Sequence, residues 1–207
     1  MNSSIHPASD HRRRIPKREQ ILNGAREVFF ALGFEGASMN EIAKAAGVSK
    51  GTLYSYFVDK VALFEAVIAA ECEAISSRNF KLDLQAPLEP TLSALGAGFL
   101  RDVFSPTAMG VYRTLVGEAH RNPALGEAFM RSGPRPGSKA LAAVLESATA
   151  RGLLNVPDPE LAAFQFIHLC DAGLGQRVHM GGGRPTDEDI QRHVASAVGV
   201  FLRGYAR

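Results

Sequence analysis

The chain has 207 residues, 46% hydrophobic and 21% charged, which is long and apolar enough for a sizeable buried core and excludes a disordered polymer. Over the whole chain, 23 Lys/Arg against 21 Asp/Glu say little about partners. Residues 1–60, however, hold nine Lys/Arg against six Asp/Glu, while residues 61–207 hold fourteen against fifteen, so the excess positive charge is N-terminal. Cys72 and Cys170 lie far apart with no metal-ligand spacing, which predicts free thiols in a reducing compartment rather than a disulfide framework. The longest apolar run, near Leu161–Cys170, is broken by Gln165 and His168 and is too short to span a bilayer. The N-terminus carries no apolar stretch of the signal-peptide kind. A cytoplasmic protein without membrane contact is expected.

Nearly every segment carries helical period, and none shows sustained strand alternation. Residues 1–15 have no period and read as a flexible basic arm. Pro16 suits a first helical turn, and Ile21, Ala25, Val28, Phe29 and Leu32 then form one apolar stripe, closed by Gly33 as a C-terminal stop. Ser38-Met-Asn-Glu41 is a capping box ahead of Ile42, Ala43 and Ala46. Gly47 fits a positive-φ turn, after which Ser49 caps a helix to Phe57. Asp59 caps a fourth, longer helix with Leu63, Phe64, Val67, Ile68 and Ile75 on its apolar face. Helix starts follow at Pro87–Pro90, Ser105-Pro106 and Asn122-Pro123, the last interrupted by Gly133–Gly137 before helix resumes to Arg151. Asp158-Pro159 opens a strongly apolar helix ending near Gly175. Gly181–Gly183 is a loop, and Thr186 caps a final helix whose first turn, Asp187–Asp189, suits the positive end of the macrodipole. The reading is an all-α protein of nine or ten helices, three in an N-terminal unit over residues 16–58 and the rest in a larger unit over residues 59–207.

Two short helices joined by a glycine turn, the second basic and rich in small polar residues, have the chemistry of a helix-turn-helix. Val48, Leu53 and Phe57 must face inward. Lys50, Gly51, Thr52, Tyr54 and Ser55 then point out. Lys50 can donate to guanine O6/N7, the Thr52 methyl can pack on thymine, and Gly51 lets the helix approach the groove floor. Ser38, Tyr54, Tyr56 and Lys60 are placed for phosphate oxygens. A plain helical hairpin with solvated polar residues would carry the same charge and turn signals.

The run Ser38–Phe64 resembles the N-terminal domain of TetR-family transcriptional regulators. The resemblance rests on Ile42-Ala43, Ala46-Gly47-Val48-Ser49, Gly51-Thr52-Leu53-Tyr54, Tyr56-Phe57 and Lys60 with Leu63-Phe64, and with the preceding helix it covers roughly residues 17–64. It implies a homodimer on palindromic double-stranded operator DNA, usually a repressor relieved by a small lipophilic effector. It also implies that Lys50, Thr52 and Tyr54 read bases while Ser38, Tyr56 and Lys60 hold the backbone, with position 55 a tolerant one. More loosely, Asn122–Phe129, Ala150–Leu154 and Asp158–Phe166 are similar to the C-terminal region of a subset of that family. Arg12–Arg14 would form a basic arm for the minor groove or the phosphates, or else a solvated tail.

The larger unit carries no GxGxxG, P-loop, HExxH or GxSxG pattern. His120, His168, His179 and His193 are scattered, so neither an enzyme, a metal site nor a cofactor is expected. Phe99, Val103, Tyr112, Val116, His120, Phe129, Phe164 and His168 mix aromatic walls with polar groups and are candidate lining for an effector pocket. Ile190, Val194, Val198, Phe201 and Tyr205 form a stripe on the last helix. With Leu161 on the apolar helix, they are the candidate dimer contacts. The helix from Asp59 to about Ser77, roughly 28 Å long, would couple the two units. A DNA-binding protein without an effector is the alternative.

Overall fold

A computed structural model of the chain describes residues 15–207. Among these residues there are eleven helical segments and no strand: α1 Lys17–Gly36, α2 Met39–Ala45, α3 Lys50–Tyr56, α4 Lys60–Asn79, α5 Leu88–Val103, α6 Pro106–Ala119, α7 Pro123–Ser132, α8 Pro134–Ala150, α9 Pro159–Asp171, α10 Leu174–His179 and α11 Asp187–Gly204. None of these helices is long and apolar enough to cross a membrane. The arm at residues 1–15, with Arg12–Arg14, lies outside the described residues except for Ile15.

The helix starts follow short-range chemistry. Ser38 Oγ accepts from the Glu41 N–H at 3.2 Å while Glu41 Oε2 accepts from the Ser38 N–H at 3.0 Å, closing the capping box of α2. Asp59, Ser105 and Asp158 cap α4, α6 and α9 through single side-chain oxygens. Thr186 and Asp189 form a second capping box on α11. Each such cap satisfies otherwise orphaned N–H groups and contributes about 1 kcal/mol.

Three local features differ from the sequence reading. Gly33 does not end α1 but kinks it, at φ 70° and ψ −178°, and helix continues to Gly36. The kink leaves Leu32 49% exposed and turns Phe34 inward. There Phe34 stacks on Phe29 at 5.9 Å and lies 5.5 Å from Phe64. The break between α7 and α8 is Gly133 alone, because Pro134 falls in the first turn of α8, where a missing N–H costs nothing. The apolar helix α9 stops at Asp171, whose carboxylate accepts from the Gly175 N–H at 2.8 Å and opens the separate short helix α10.

Two hydrophobic cores result. The first is built by α1 to α4, with Ile21, Phe29, Ile42, Leu53, Leu63 and Phe64 among its most buried side chains, and is closed by Leu115 of α6 and Leu125 of α7. The second joins α5, α8, α9, α10 and α11 around Leu92, Leu100, Leu145, Phe166 and Phe201. α4 is tied at both ends. Its first residue reaches the end of α1, and at its last turn Arg78 Nε and Asn79 Nδ2 donate to Asp102 Oδ2 of α5 at 2.8 and 2.7 Å.

Candidate nucleic-acid interface

The α2–turn–α3 unit is held from beneath. Leu53 is fully buried, Phe57 is buried, and Val48 is half-buried against the first core. Gly47 takes φ +62° in the turn, where a Cβ would be strained. Gln20 of α1 donates from Nε2 to the Ala46 carbonyl at 2.6 Å, fixing the turn to a helix 26 residues away in sequence. No sequence pattern marks that contact. It fills an acceptor that the turn would otherwise leave unpaired.

On this support the outward face of α3 is the one the sequence predicts. Lys50, Gly51, Tyr54, Ser55 and Tyr56 are exposed, and Thr52 is half-buried. Lys50 Nζ lies 5.9 Å from the centroid of the Tyr54 ring, so the two form a joint cationic and aromatic surface. The Thr52 hydroxyl is 2.8 Å from Ser49 Oγ, which also accepts from the Thr52 N–H at 3.0 Å as the cap of α3. That pair orients the Thr52 side chain. Ser55 Oγ donates to the Thr52 carbonyl at 2.7 Å, back along the helix, which leaves its hydroxyl proton unavailable to a base.

Two expected phosphate contacts are otherwise engaged. The Ser38 hydroxyl donates to Glu41 Oε2 at 2.7 Å within the capping box. Lys60 Nζ donates to the carbonyls of Phe34, Ala37 and Glu35 at 2.7, 3.1 and 3.4 Å, so all three ammonium protons have acceptors at the end of α1. Lys60 is therefore a clasp between α4 and α1 in this structure, not a free cation facing DNA. The reason is electrostatic: terminal helix carbonyls carry partial negative charge and are the nearest acceptors to the start of α4. At the other end of α1, Arg18 lies 5.7 Å from the Phe57 ring, a basic group that the sequence reading passed over.

The eight residues proposed for an effector pocket do not converge. Phe99 and Val103 pack against the second core, whereas Phe129 packs against the first. The Tyr112 ring lies tilted against Phe129 at 5.9 Å and His179 at 4.9 Å and is partly exposed. Val116 is 58% exposed, His120 and His168 are exposed, and Phe164 is half-buried. Helical period places each residue on a face but does not say which core that face meets.

The dimer stripe is corrected in the same way. Ile190, Val194, Val198 and Phe201 are at most 3% exposed within a single chain, so they build the second core and are not available to a partner. Tyr205 is half-buried beside Phe201 at 4.8 Å and donates its hydroxyl to Gln165. Leu161 alone of that set stands out, 53% exposed on α9.

Comparison with known proteins agrees with this arrangement. Residues 21–67 match the bacterial regulatory proteins of the tetR family, and residues 90–207 match the C-terminal domain of AefR-like transcriptional repressors. The HTH-type transcriptional regulator UidR of Escherichia coli (strain K12) is 46% identical over 63 residues, which is 30% of this chain and 32% of UidR. The match to this curated relative thus spans about a third of its length. Among solved structures, a TetR-family regulator from Mesorhizobium loti superposes with a TM-score of 0.81 at 27% identity, covering 92% of this chain and 97% of that one. The flavonoid-responsive regulator FrrA superposes at 0.78 with 34% identity, over 92% and 97% of the two chains.

Proposed function

Because the chain belongs to the TetR family of DNA-binding transcriptional regulators, we propose that it is a homodimeric repressor which leaves a palindromic operator when a small lipophilic molecule binds. The observation that carries this reading is α3 itself. It is a short capped helix seated on buried Leu53, with Lys50, Thr52 and Tyr54 directed away from the protein. Lys50 would donate to a guanine, the Thr52 methyl would meet a thymine, and Tyr54 would supply a further base contact, with Tyr56 on the backbone. Residues 16–58 serve as the reading unit and residues 59–207 as the effector and dimerisation unit.

Release requires the two units to move together. α4, with 20 residues and so about 30 Å long, is clasped to α1 by Lys60 at one end and to α5 through Asp102 at the other. A change in the larger unit would tilt this rod and alter the spacing of the two reading helices, about 34 Å apart on successive half-sites. The exposed faces of α9 and α11, with Leu161 in the first turn of α9, Val200 near the end of α11 and small residues Ala195, Ser196 and Gly199 alongside, would form the two-fold contact. The match to a repressor C-terminal domain supports the sign of control, and the likeness to FrrA supports a small-molecule effector.

Selection of random double-stranded DNA by the purified protein at a stated salt concentration tests this. A palindrome with half-sites one helical turn apart is the expected product, and a single unpaired half-site would overturn the dimer. A second reading, a DNA-binding protein with no effector, draws support from the scattered placement of the expected pocket residues. It predicts that no compound binding the protein changes its operator affinity.

A further inference from the structure

α1 touches the chain at both ends of the reading helix, ahead of it at Ala46 and behind it at Phe57. We propose that Gln20 is a positioning residue on which sequence discrimination by α3 depends. The proposal rests on, and deepens, the reading of α3 as the helix that meets the bases.

The need for such a residue follows from the size of α3. It has seven residues and is therefore about 10 Å long, with its buried anchor, Leu53, at the centre. A single central anchor fixes where a helix sits but leaves its tilt free. A displacement of about 1 Å at one end tilts so short a rod by roughly 6°. Hydrogen bonds to base edges tolerate only about 0.5 Å in length, so that displacement at Lys50 breaks one. Attraction to phosphates falls off slowly with distance and has little directional demand. Tilt thus governs the choice among sequences far more than the affinity for DNA in general.

Two contacts from α1 set the tilt. Ahead of α3, Gln20 Nε2 donates to the Ala46 carbonyl at 2.6 Å, four residues before Lys50. Behind it, the Arg18 guanidinium lies 5.7 Å from the ring of Phe57, the residue that ends α3. The turn also rests directly on the α1 backbone. Gly24 lies one helical turn beyond Gln20, and a Cβ there would stand 2.5 Å from the Ala46 nitrogen.

Of these contacts the Gln20 bond is the directional one. Among the described hydrogen bonds it is the one that the Ala46 carbonyl accepts. Its amide is also oriented. Lys17 Nζ donates to Gln20 Oε1 at 3.0 Å, which commits the oxygen to the lysine, turns the NH2 toward Ala46 and polarises that donor.

The test measures, for the full chain, the ratio of affinity for its selected operator to affinity for random-sequence duplex. One salt concentration and about pH 8, where a histidine is neutral, serve throughout. Gln20→Met removes the donor in an unbranched side chain of similar length. Gln20→Glu keeps the shape but presents an oxygen to the carbonyl. Each should lower the ratio about tenfold, the effect of one lost hydrogen bond. In Gln20→Met the random-sequence affinity and its salt slope should match the wild type. Gln20→His returns an N–H at comparable reach and should restore the ratio to within about twofold. A purely structural role predicts a lower unfolding midpoint with an unchanged ratio, and that result would overturn the proposal. So would a ratio lost in Gln20→His as fully as in Gln20→Met. Gln20→Glu, closest in shape, decides the question if Gln20→Met does not fold. If the wild-type chain selects no sequence, the reading of α3 fails and this proposal with it. Selection that survives both changes overturns the role of Gln20 alone.

Discussion

Lys60 meets Phe34 twice: its Nζ donates to the Phe34 carbonyl at 2.7 Å and lies 4.5 Å from the centroid of the same residue's ring. A helix start is thereby pinned to the kinked end of another helix. Lys60→Met should lower stability by about 1–3 kcal/mol, as expected for charge-assisted hydrogen bonds to terminal carbonyls. It should leave the salt dependence of DNA affinity unaltered. Urea unfolding and affinity at several salt concentrations measure the two effects. A slope reduced by about one would show that Lys60 leaves the clasp for a phosphate in the complex.

Lys50 has no intramolecular acceptor among the described hydrogen bonds and lies beside Tyr54 on an exposed face. Lys50→Ala should cost about 1–3 kcal/mol in operator affinity and relax the sequence preference at one position per half-site. The unfolding midpoint should not move. An even loss across all sequences would assign Lys50 to the phosphates.

Gly110 of α6 and Phe30 of α1 make a reciprocal pair, because a Cβ added at Gly110 would overlap the Phe30 ring. Gly110→Ala should destabilise by about 1–3 kcal/mol through overpacking, and Phe30→Ala in the same chain should restore most of the loss. A double-mutant cycle with no coupling would mean that α1 and α6 part easily at this point.

The two thiols give a pH prediction. Burial pushes Cys72 up from 9.0 to about 11, helped by the nearby Glu71 carboxylate. Burial likewise pushes Cys170 up to about 12, helped by Asp171. A raised folded-state value means that the proton is held more tightly in the folded chain. The resulting stability is present below pH 9.0 and is lost as pH rises toward 11 and 12. Both thiols should resist iodoacetamide at neutral pH until the protein is unfolded. Rapid labelling of the native protein would show that one of the cores opens.

Asp189 gives the acid counterpart. The Thr186 N–H and Arg177 hold its carboxyl below the usual value of 3.8. The capping box of α11 should therefore be intact above that value and lost as pH falls below it. Asp189→Asn should flatten the acid limb of a stability-against-pH curve, and an unchanged limb would refute the contribution of this cap.

Much of this protein is written in neighbouring residues. The capping box at Ser38 and Glu41, the glycine turn at Gly47 and the cap at Ser49 act over three or four positions, so the reading unit and its exposed Lys50 and Tyr54 follow from local chemistry. The same holds for Asp59, Ser105, Asp158 and Thr186, each of which starts the helix it predicts. Period also identifies the apolar stripe of α11, but a stripe says only that a face is buried. Whether Ile190, Val194, Val198 and Phe201 meet their own chain or a partner depends on where α9 lies, and the tertiary structure assigns them to their own core. The Lys60 clasp spans 23 to 26 residues, and the contact of Phe30 with Gly110 joins residues about 80 apart along the chain. Such contacts leave no periodic or capping signal, because the energy that selects them comes from packing two helices together and not from the conformation of either one.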